Sequence, residues 1–335
     1  MPGAAQGHTE FEALPDLVAE RLGGAALLAN DEFFAPKENL IRAGDPEWRE
    51  GAYTERGKWM DGWETRRRRD EGYDWCILRL GLPGAVRGFV VDTTHFRGNY
   101  PQACSIEGAR VDGHPDPLGI GADAAWRELL PRTELEGHSR NVFPAAPVER
   151  ITHLRLNIFP DGGVARLRVH GVVVPDWSAL EARGGEVDLA ALEHGGIAVA
   201  SSDDFFGNSN NMLQPGRSTH MGDGWETRRR RGTGHDWAVV RLGRRGEIRR
   251  LEIDTDHFKG NAPGACSVDA FVADEWVPAA GAAWQQILPR TPLQPHTRHV
   301  FDAAAGPAAT HLRLNIHPDG GVARFRAFAP VAAGS

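Results

Sequence analysis

Apolar and polar residues alternate along much of this chain, most clearly from residue 153 to residue 158, which read His-Leu-Arg-Leu-Asn-Ile. The three apolar side chains of such a segment share one face and the three polar ones share the other, as in a strand that covers a core. The same six letters return at 311–316. Shorter apolar runs at 76–80, 86–92, 238–242 and 248–254 are separated by Gly and Pro, which favours strands over helices.

Helical spacing of apolar residues is found in two short stretches. One begins at Asp16 and ends at the Gly-Gly pair at 23–24, and the other begins at Asp188 and ends at the pair at 195–196. Because glycine commonly ends a helix, each stretch predicts a short helix.

The chain contains an internal duplication. Residues 61–69 read Asp-Gly-Trp-Glu-Thr-Arg-Arg-Arg-Arg and return unchanged at 223–231. A packed core tolerates exchanges among hydrophobic residues of similar volume, so packing alone does not explain an unbroken match of mostly polar residues. The match therefore indicates a functional site. The predicted organisation is an N-terminal tail at 1–15, a first repeat at 16–175, a linker at 176–187 and a second repeat at 188–335.

Each repeat combines several short strands with Gly-rich turns and few helical stretches. This combination is typical of an all-β protein whose sheets pack face to face. We therefore predict two tandem jelly-roll β-sandwich domains, related by the duplication.

Composition is that of an ordinary globular protein, with 41% hydrophobic and 25% charged residues. The formal net charge of -7 argues against a nucleic-acid partner, because nonspecific affinity for phosphates needs an excess of Lys and Arg. The start of the chain lacks a signal-peptide core and no apolar run approaches membrane-spanning length, so we predict a cytoplasmic location and no membrane partner. Three cysteines without metal-ligand spacing are predicted to be reduced, semi-buried thiols: Cys76, Cys104 and Cys266.

The arginine-rich motif is the first candidate for binding chemistry. If it is extended, Glu64, Arg66 and Arg68 lie on one face of the strand. A guanidinium held by a neighbouring acid binds a carboxylate through two parallel hydrogen bonds. We predict a binder of a carboxylate or a ureido group, with Glu226 and Arg228 as counterparts; the alternative is an edge strand protected by charge.

An Asp-x-x-His pair follows a predicted strand in each repeat, at Asp92 and His95 and at Asp254 and His257. A carboxylate beside an imidazole fixes its tautomer and raises its basicity, so the pair is a candidate general acid or base. Two alternatives stay open: a metal site, because Asp and His are both ligands, and a hydrogen bond that only braces the loop. Substrate-binding candidates follow these pairs in the chain: Arg97, Asn99, Lys259 and Asn261.

Further polar residues recur in both repeats. His138 and Arg140, like His296 and Arg298, are predicted to lie on one face of a strand and to extend the anion site, or simply to be solvated. Asn157 lies in the middle of a predicted strand, where an amide is poorly suited, and could bind a urea group or a neighbouring loop.

The ordered strings resemble those of the allantoicase family. They are Asp-Gly-Trp-Glu-Thr-Arg-Arg, Asp-Thr-x-His-Phe-x-Gly-Asn, Leu-Pro-Arg-Thr and Leu-Arg-Leu-Asn-Ile-x-Pro-Asp-Gly-Gly, each present twice between about residues 16 and 328. The resemblance implies hydrolysis of allantoate to ureidoglycolate and urea, two galactose-binding-like jelly rolls and a homo-oligomer. The Leu-Pro-Arg-Thr string adds Arg132 and Arg290 to the substrate-binding candidates.

Allantoate chemistry gives these residues hypothetical roles. The site needs a clamp for the carboxylate, an acid for the departing urea and a base for water. Arg66 or Arg140 would clamp, His95 with Asp92 would transfer protons, and Glu64 would orient. We predict no certain cofactor, with a divalent metal as the alternative. The competing functions are a non-catalytic carbohydrate-binding double jelly roll and a metal-dependent hydrolase of another ureido acid.

Overall fold

Antiparallel strands account for most of the regular structure in a computed structural model that describes residues 10–113 and 115–331. The chain divides into two compact units, Met1–Val174 and Pro175–Ser335. We call them unit 1 and unit 2. Residues 1–9 of the predicted tail lie outside the described residues, and Glu10–Ala13 form a 3-10 helix.

Unit 1 contains eleven described strands and one α-helix. In chain order the strands are β1 Ala25–Ala29, β2 Tyr53–Thr54, β3 Gly57–Lys58, β4 Trp63–Glu64, β5 Asp74–Asp92, β6 Ala103–Ala109, β7 Arg127–Glu134, β8 Arg140–Pro144, β9 Ile151–Phe159, β10 Gly163–Val164 and β11 Arg166–Val173. The helix, α1, is Pro117–Asp123, and further 3-10 helices are Glu20–Leu22 and Lys37–Ile41.

Unit 2 repeats most of this order but has no described counterpart of β2, β3 or α1. Its described elements are α2 Trp177–Arg183 and the strands β12 Glu186–Asp188, β13 Ile197–Ser201, β14 Trp225–Glu226, β15 Asp236–Glu247, β16 Arg250–Asp254, β17 Ala265–Phe271, β18 Gln285–Pro292, β19 Arg298–Asp302, β20 Ala308–His317, β21 Gly321–Val322 and β22 Arg324–Pro330. The 3-10 helices are Leu192–His194, Ser209–Leu213 and Met221–Asp223.

Two layers of strands form the sandwich of each unit, and β4 with β10, β2 with β3 and β14 with β21 form separate two-stranded sheets. In unit 2 the order is β13-β15-β20-β17-β18 in one sheet and β12-β22-β16-β19 in the other. In unit 1 the long strand β5 belongs to both layers: its first half pairs with β1 and β9, and its second half pairs with β8 and β11. The two runs predicted at 76–80 and 86–92 are therefore one continuous strand.

Alternation in β9 and β20 builds the core as the sequence predicts. Leu154, Leu156 and Ile158 are fully buried, and so are their counterparts on β20. Truncating such a side chain typically costs about 2–5 kcal/mol, because the cavity it leaves is only partly refilled. The apolar face predicted from the alternation of residues along these strands thus stabilises the sandwich in each unit. The predicted all-β jelly-roll fold class is confirmed.

The two predicted short helices are wrong. Only Glu20–Leu22 and Leu192–His194 are helical there, each as a single 3-10 turn that ends at a left-handed glycine. Apolar residues in these stretches are buried against the sandwich, so tertiary contacts outweigh local helical spacing. The segment predicted as a linker at 176–187 contains α2 and the start of β12.

A buried phenylalanine fixes the loop that follows β5. Phe96 is fully buried, and a Cβ atom on Gly163 of β10 would lie 1.9 Å from its ring. Only glycine leaves room for that ring. Phe258 and Gly321 repeat the contact in unit 2, where the distance would be 2.0 Å.

All three cysteines are free and fully buried, more deeply than the semi-buried state predicted. Burial raises the pKa of Cys104 and of Cys266 to about 12. None of the helices within the described residues is long and apolar enough to cross a membrane.

Candidate active site

Four histidines have a left-handed backbone. His95 and His257 have φ of 72° and 69°, and His138 and His296 have φ of 52° and 49°. They are the non-glycine residues with positive φ among those the structure describes. Such a conformation costs free energy and persists where the surrounding structure enforces it, which is often at a functional site.

The histidines of each unit contact one another. The backbone N–H of His95 donates to Nδ1 of His138 at 2.9 Å, and the ring centroids are 5.7 Å apart. Nε2 of His95 lies 3.1 Å from the carbonyl oxygen of Pro46. Because a carbonyl only accepts, this Nε2 carries the proton and Nδ1 of His95 is left with a lone pair. Unit 2 repeats these contacts with His257, His296 and Ser218.

The predicted pairing of Asp92 with His95 is not formed. Oδ1 of Asp92 accepts from the backbone N–H of Thr94 at 2.7 Å, and no hydrogen bond joins it to His95 in this described part of the chain. Asp254 likewise accepts from the backbone N–H of Asp256 at 2.8 Å and not from His257. Both aspartates cap the turn that starts the loop, because an Asp side chain readily bonds the backbone two residues on.

Glu64 lies in a cleft of about 580 Å³. Its Oε1 accepts a hydrogen bond of 2.7 Å from Asn99 Nδ2, and burial raises the pKa of the Glu64 carboxyl. In unit 2, Asn261 Nδ2 donates to Glu226 Oε1 at 2.6 Å. The cleft has the size of a small-molecule site and holds a carboxyl group whose burial favours the protonated form. Its lining includes Arg67, Arg68, Gly98, Asn99, Tyr100 and Asp161.

Arg66 is held by Asp31 and not by Glu64. Its Nε and Nη2 each lie 2.7 Å from Oδ2 of Asp31, and the side chain is 65% exposed. The equivalent Arg228 binds Asp203 at 2.8 Å. The prediction that Glu64 and Glu226 hold these arginines is therefore wrong, because Asp31 and Asp203 supply the carboxylates.

The next two arginines have different environments. Arg68 is bound by Asp74 at 2.7 Å, and its backbone N–H donates to Asp161. Arg67 lines the Glu64 cleft and has no ion-pair or hydrogen-bond partner within the described residues. A free guanidinium beside a carboxyl-bearing cleft is a ready partner for a substrate carboxylate. Strand alternation assigned Arg67 to the opposite face from Glu64, so the sequence did not identify it.

His138 and Arg140 do not share a strand face. His138 lies in the turn before β8, whereas Arg140 begins that strand and pairs with Glu12 at 2.8 Å. Arg298 likewise begins β19 and pairs with Glu252 at 2.5 Å. Arg140 is not among the residues that line the Glu64 cleft, and both cations have acidic partners.

Other predicted substrate-binding residues divide into two groups. Arg97 Nη2 lies 3.2 Å from His138 Nε2, so it belongs with the histidine pair, and its counterpart Lys259 is exposed. Asn157 points away from the core and donates to Ser105 and Glu107, which supports the structural interpretation of this amide. Arg132 lies over the ring of Phe159. The pKa of His317 is lowered first by burial, then by the charge of His235 and then by that of Arg290, so Arg290 lies near this ring.

The structure thus brings together some of the candidates in each unit. The Glu–Asn pair and the histidine pair occupy opposite ends of the loop at 93–99 in unit 1 and 255–261 in unit 2. Within the described ranges, no three His, Cys, Asp or Glu side chains are grouped closely enough to hold a metal ion. The loop after the strand is therefore the element that organises the site.

Comparisons with known proteins agree with the duplication and the fold. A family model described as Allantoicase repeat matches residues 15–174 and again 187–332. The chain belongs to the allantoicase family. A probable allantoicase of Pseudomonas aeruginosa (strain UCBPP-PA14) is 47% identical over 329 residues, which cover 96% of this chain and 97% of that protein.

A second relative and a solved structure also match over most of the chain. A probable allantoicase of Streptomyces avermitilis is 50% identical over 329 residues, covering 95% of this chain and 86% of its own. The crystal structure of allantoicase from Saccharomyces cerevisiae superposes with a TM-score of 0.80 at 34% identity, and covers 96% of each chain. The resemblance drawn from the sequence motifs is confirmed.

Proposed function

We propose that this chain is an allantoicase, a hydrolase that converts allantoate and water to ureidoglycolate and urea in purine catabolism. The observation that carries the proposal is the duplicated site of a carboxyl group held by an asparagine, at Glu64 and Asn99 and at Glu226 and Asn261. Family membership supports the same reaction.

The substrate carboxylate is bound by the free arginine of the cleft. Allantoate carries one carboxylate and two ureido groups on a single carbon. Arg67 offers the planar donor fork that a carboxylate accepts, and Arg229 has the equivalent position in the second repeat. The bound carboxylate places the central carbon and its ureido groups beside Glu64.

The reaction has two steps, the departure of urea and the addition of water. Glu64, as an acid, protonates the nitrogen of one ureido group; the bond between this nitrogen and the central carbon breaks, and urea leaves with the electron pair. The lone pair of the remaining ureido nitrogen forms a double bond to the central carbon. Water then adds to that carbon and gives one proton to a histidine of the loop. The atoms balance as allantoate plus water giving ureidoglycolate plus urea.

Burial raises the pKa of Glu64, and this suits the role because it favours the protonated form that can donate a proton. Asn99 leaves Oε2 of Glu64 free for that proton, since it binds Oε1. We also propose that the substrate is a small molecule and that the enzyme is a cytoplasmic homo-oligomer. Size-exclusion chromatography with light scattering tests the oligomeric state.

The test is urea release from allantoate by the purified protein, with and without a chelator. We expect turnover in both conditions, and we expect Glu64→Gln with Glu226→Gln to lower kcat by about 100-fold or more, because an amide transfers no proton. Glu71→Gln, at an exposed position, is the matched control. Absence of turnover in the wild type, or full activity in the double variant, contradicts the proposal.

A further inference from the structure

Two positions distinguish the Glu64 cleft from its repeat in unit 2. Every other residue that lines the cleft has an identical residue at the equivalent position of the second repeat. The exceptions are Tyr100, where unit 2 has Ala262, and Gln102, where unit 2 has Gly264. Unit 2 thus keeps the carboxyl group, the arginines and the asparagine of the site but lacks these two polar side chains.

The backbone that carries the two positions is held in the same way in both units. The carbonyl of Asn99 accepts from the backbone N–H of Gly163 at 2.7 Å, and the equivalent bond of unit 2 is 2.9 Å long. The carbonyl of Gln102 accepts from the backbone N–H of Leu135 at 3.0 Å, and the equivalent bond is 3.1 Å long. The two units therefore differ in the side chains at this place and not in the path of the chain.

The ring of Tyr100 is fixed by its packing. It lies against the small apolar cluster of Met60, Phe96 and Ala165. It also lies directly on Gly137, because a Cβ atom at that position would be 2.4 Å from the ring. Unit 2, which has no such ring, carries glycine at the position of Met60 and proline at that of Gly137. The surrounding residues thus differ together with Tyr100, as expected if the ring is an integral part of the cleft wall.

Both side chains have hydrogen-bonding groups that the protein does not use. The hydroxyl of Tyr100 and the side-chain amide of Gln102 have no hydrogen-bond partner among residues 10–113 and 115–331. A phenol hydroxyl can donate and accept, and a primary amide offers two donors and one acceptor. A ureido group carries one carbonyl acceptor and several N–H donors. The two side chains are therefore neutral complements of a ureido group.

We propose that Tyr100 and Gln102 are specificity-determining residues, which bind the ureido group that stays on the substrate in unit 1. The inference rests on the proposed function and refines it. Arg67 binds the carboxylate and Glu64 protonates the departing ureido group, so the retained ureido group is the part of allantoate that still needs a partner. A few well-placed polar groups fix the orientation of a ligand in such a cleft.

The two units then differ in how they recognise allantoate. Unit 1 binds the carboxylate and both ureido groups, whereas unit 2 binds the carboxylate and the departing ureido group alone. A site that hydrogen-bonds a substrate group discriminates against a ligand without that group, because its own polar groups lose their partners. Unit 1 is therefore the site with the higher affinity and selectivity for an acid with two ureido groups.

The first test compares the units after one of them is inactivated. Glu226→Gln leaves unit 1 active, and Glu64→Gln leaves unit 2 active. We expect KM for allantoate to be lower in Glu226→Gln than in Glu64→Gln by about tenfold, because two neutral hydrogen bonds to the retained ureido group are made only in unit 1. Equal KM values in the two variants overturn the inference.

The second test removes the polar groups of unit 1 and keeps the packing of the ring. In the Glu226→Gln background, we expect Tyr100→Phe with Gln102→Ala to raise KM for allantoate about tenfold and to leave kcat within about threefold. The inhibition constant of glycolate, a carboxylate without a ureido group, should stay within about twofold, because glycolate contacts neither side chain. Tyr53→Phe is the matched control, since Tyr53 is 73% exposed and lies outside the cleft lining.

Two results of the second test contradict the inference. One is a KM for allantoate within twofold of the parent variant. The other is an equal rise in KM and in the glycolate constant, which would show damage to the whole cleft.

Calorimetric titration with allantoate measures binding without turnover and separates the inference from the proposed function. A Glu226→Gln protein that releases no urea, but binds allantoate more weakly after Tyr100→Phe with Gln102→Ala, contradicts the proposed function alone. Urea release with an unchanged KM in that variant contradicts the inference alone. Absence of allantoate binding to the wild type contradicts both.

Discussion

Four identical side chains in a row have four different environments in the arginine motif. Arg66 and Arg68 are neutralised by aspartates from other segments, Asp31 and Asp74. Arg69 is exposed, whereas Arg67 lines the cleft beside Glu64. The distribution of acidic partners, more than strand alternation, decides which guanidinium is available to a ligand.

Removal of this free guanidinium should weaken substrate binding. We expect Arg67→Ala with Arg229→Ala to raise KM for allantoate about tenfold or more with a smaller effect on kcat, because a charged hydrogen bond to the carboxylate is lost. Steady-state kinetics of urea release measures both constants.

The control for that variant is the adjacent exposed pair, Arg69→Ala with Arg231→Ala. This double variant removes as many positive charges from the same motif as the Arg67 and Arg229 variant does. An effect of net charge alone would therefore appear in both double variants. Equal KM values for the two double variants would rule out the specific role of Arg67.

Sequence alone predicted that Glu64, Asn99 and the histidines would belong to a site, because motif duplication is visible without coordinates. It did not predict their partners. Asp92 caps a turn, and Asp254 does the same in unit 2 instead of binding His257. Such pairings depend on the conformation of the loops. The left-handed backbone of the histidines could not be predicted either, because a hydrophobic periodicity of 2 or 3.6 residues indicates only strands and helices.

At the scale of elements, a buried ion pair joins β11 to the segment before β4. Arg166 and Asp61 are 3% and 5% exposed, and Nη2 of Arg166 lies 2.6 Å from Oδ2 of Asp61. Asp61 also accepts from the backbone N–H of Glu47, in the loop that is longer in unit 1 than in unit 2. This carboxylate thus holds both the arginine motif and the longer loop on the sandwich.

Loss of the Asp61 carboxylate should be strongly destabilising. We expect Asp61→Ala to lower the free energy of unfolding by about 3 kcal/mol, because Arg166 is left as an unpaired buried charge. Denaturant unfolding followed by circular dichroism measures the change. Asp112→Ala breaks the exposed pair with Arg110 and should change it by less than about 1 kcal/mol.

The same carboxylate predicts a pH dependence. Burial acts to raise the pKa of Asp61. This pKa is nevertheless held below its usual value by hydrogen bonds from Arg166 and the Glu47 backbone and by the charges of Arg166 and Arg42. A depressed folded-state pKa stabilises the fold fully above the unfolded pKa, near 4, and the contribution is lost as pH falls toward the folded pKa. The difference in stability between wild type and Asp61→Ala should therefore shrink below about pH 4.

At the scale of the whole molecule, each unit has a core and buried thiols of its own. Cys76 and Cys104 lie in unit 1 and Cys266 lies in unit 2. Duplication, strand content and sandwich class were predicted from the sequence, since alternation and Gly-rich turns are local. The continuous strand β5 was not, because its turn from one sheet to the other depends on pairing with β8, β9 and β11.

Thiol reactivity should report the unfolding of each unit. In the native protein we expect a thiol reagent to label none of the three cysteines rapidly, because burial limits access and disfavours the thiolate. In Asp61→Ala at low denaturant, Cys76 and Cys104 should react before Cys266. Mass spectrometry of the labelled peptides gives the order, and simultaneous labelling of all three would show that the units unfold together.

The left-handed backbone at the four histidines limits how they can be replaced. Asparagine tolerates this conformation better than most residues, and its side-chain oxygen can accept the backbone N–H that Nδ1 of His138 accepts from His95. An alanine would add conformational strain and leave that amide unpaired, so its effect would mix damage to the loop with loss of the imidazole. Exchange for asparagine isolates the contribution of the ring itself, and β-branched residues are the poorest choice for any library built at these positions.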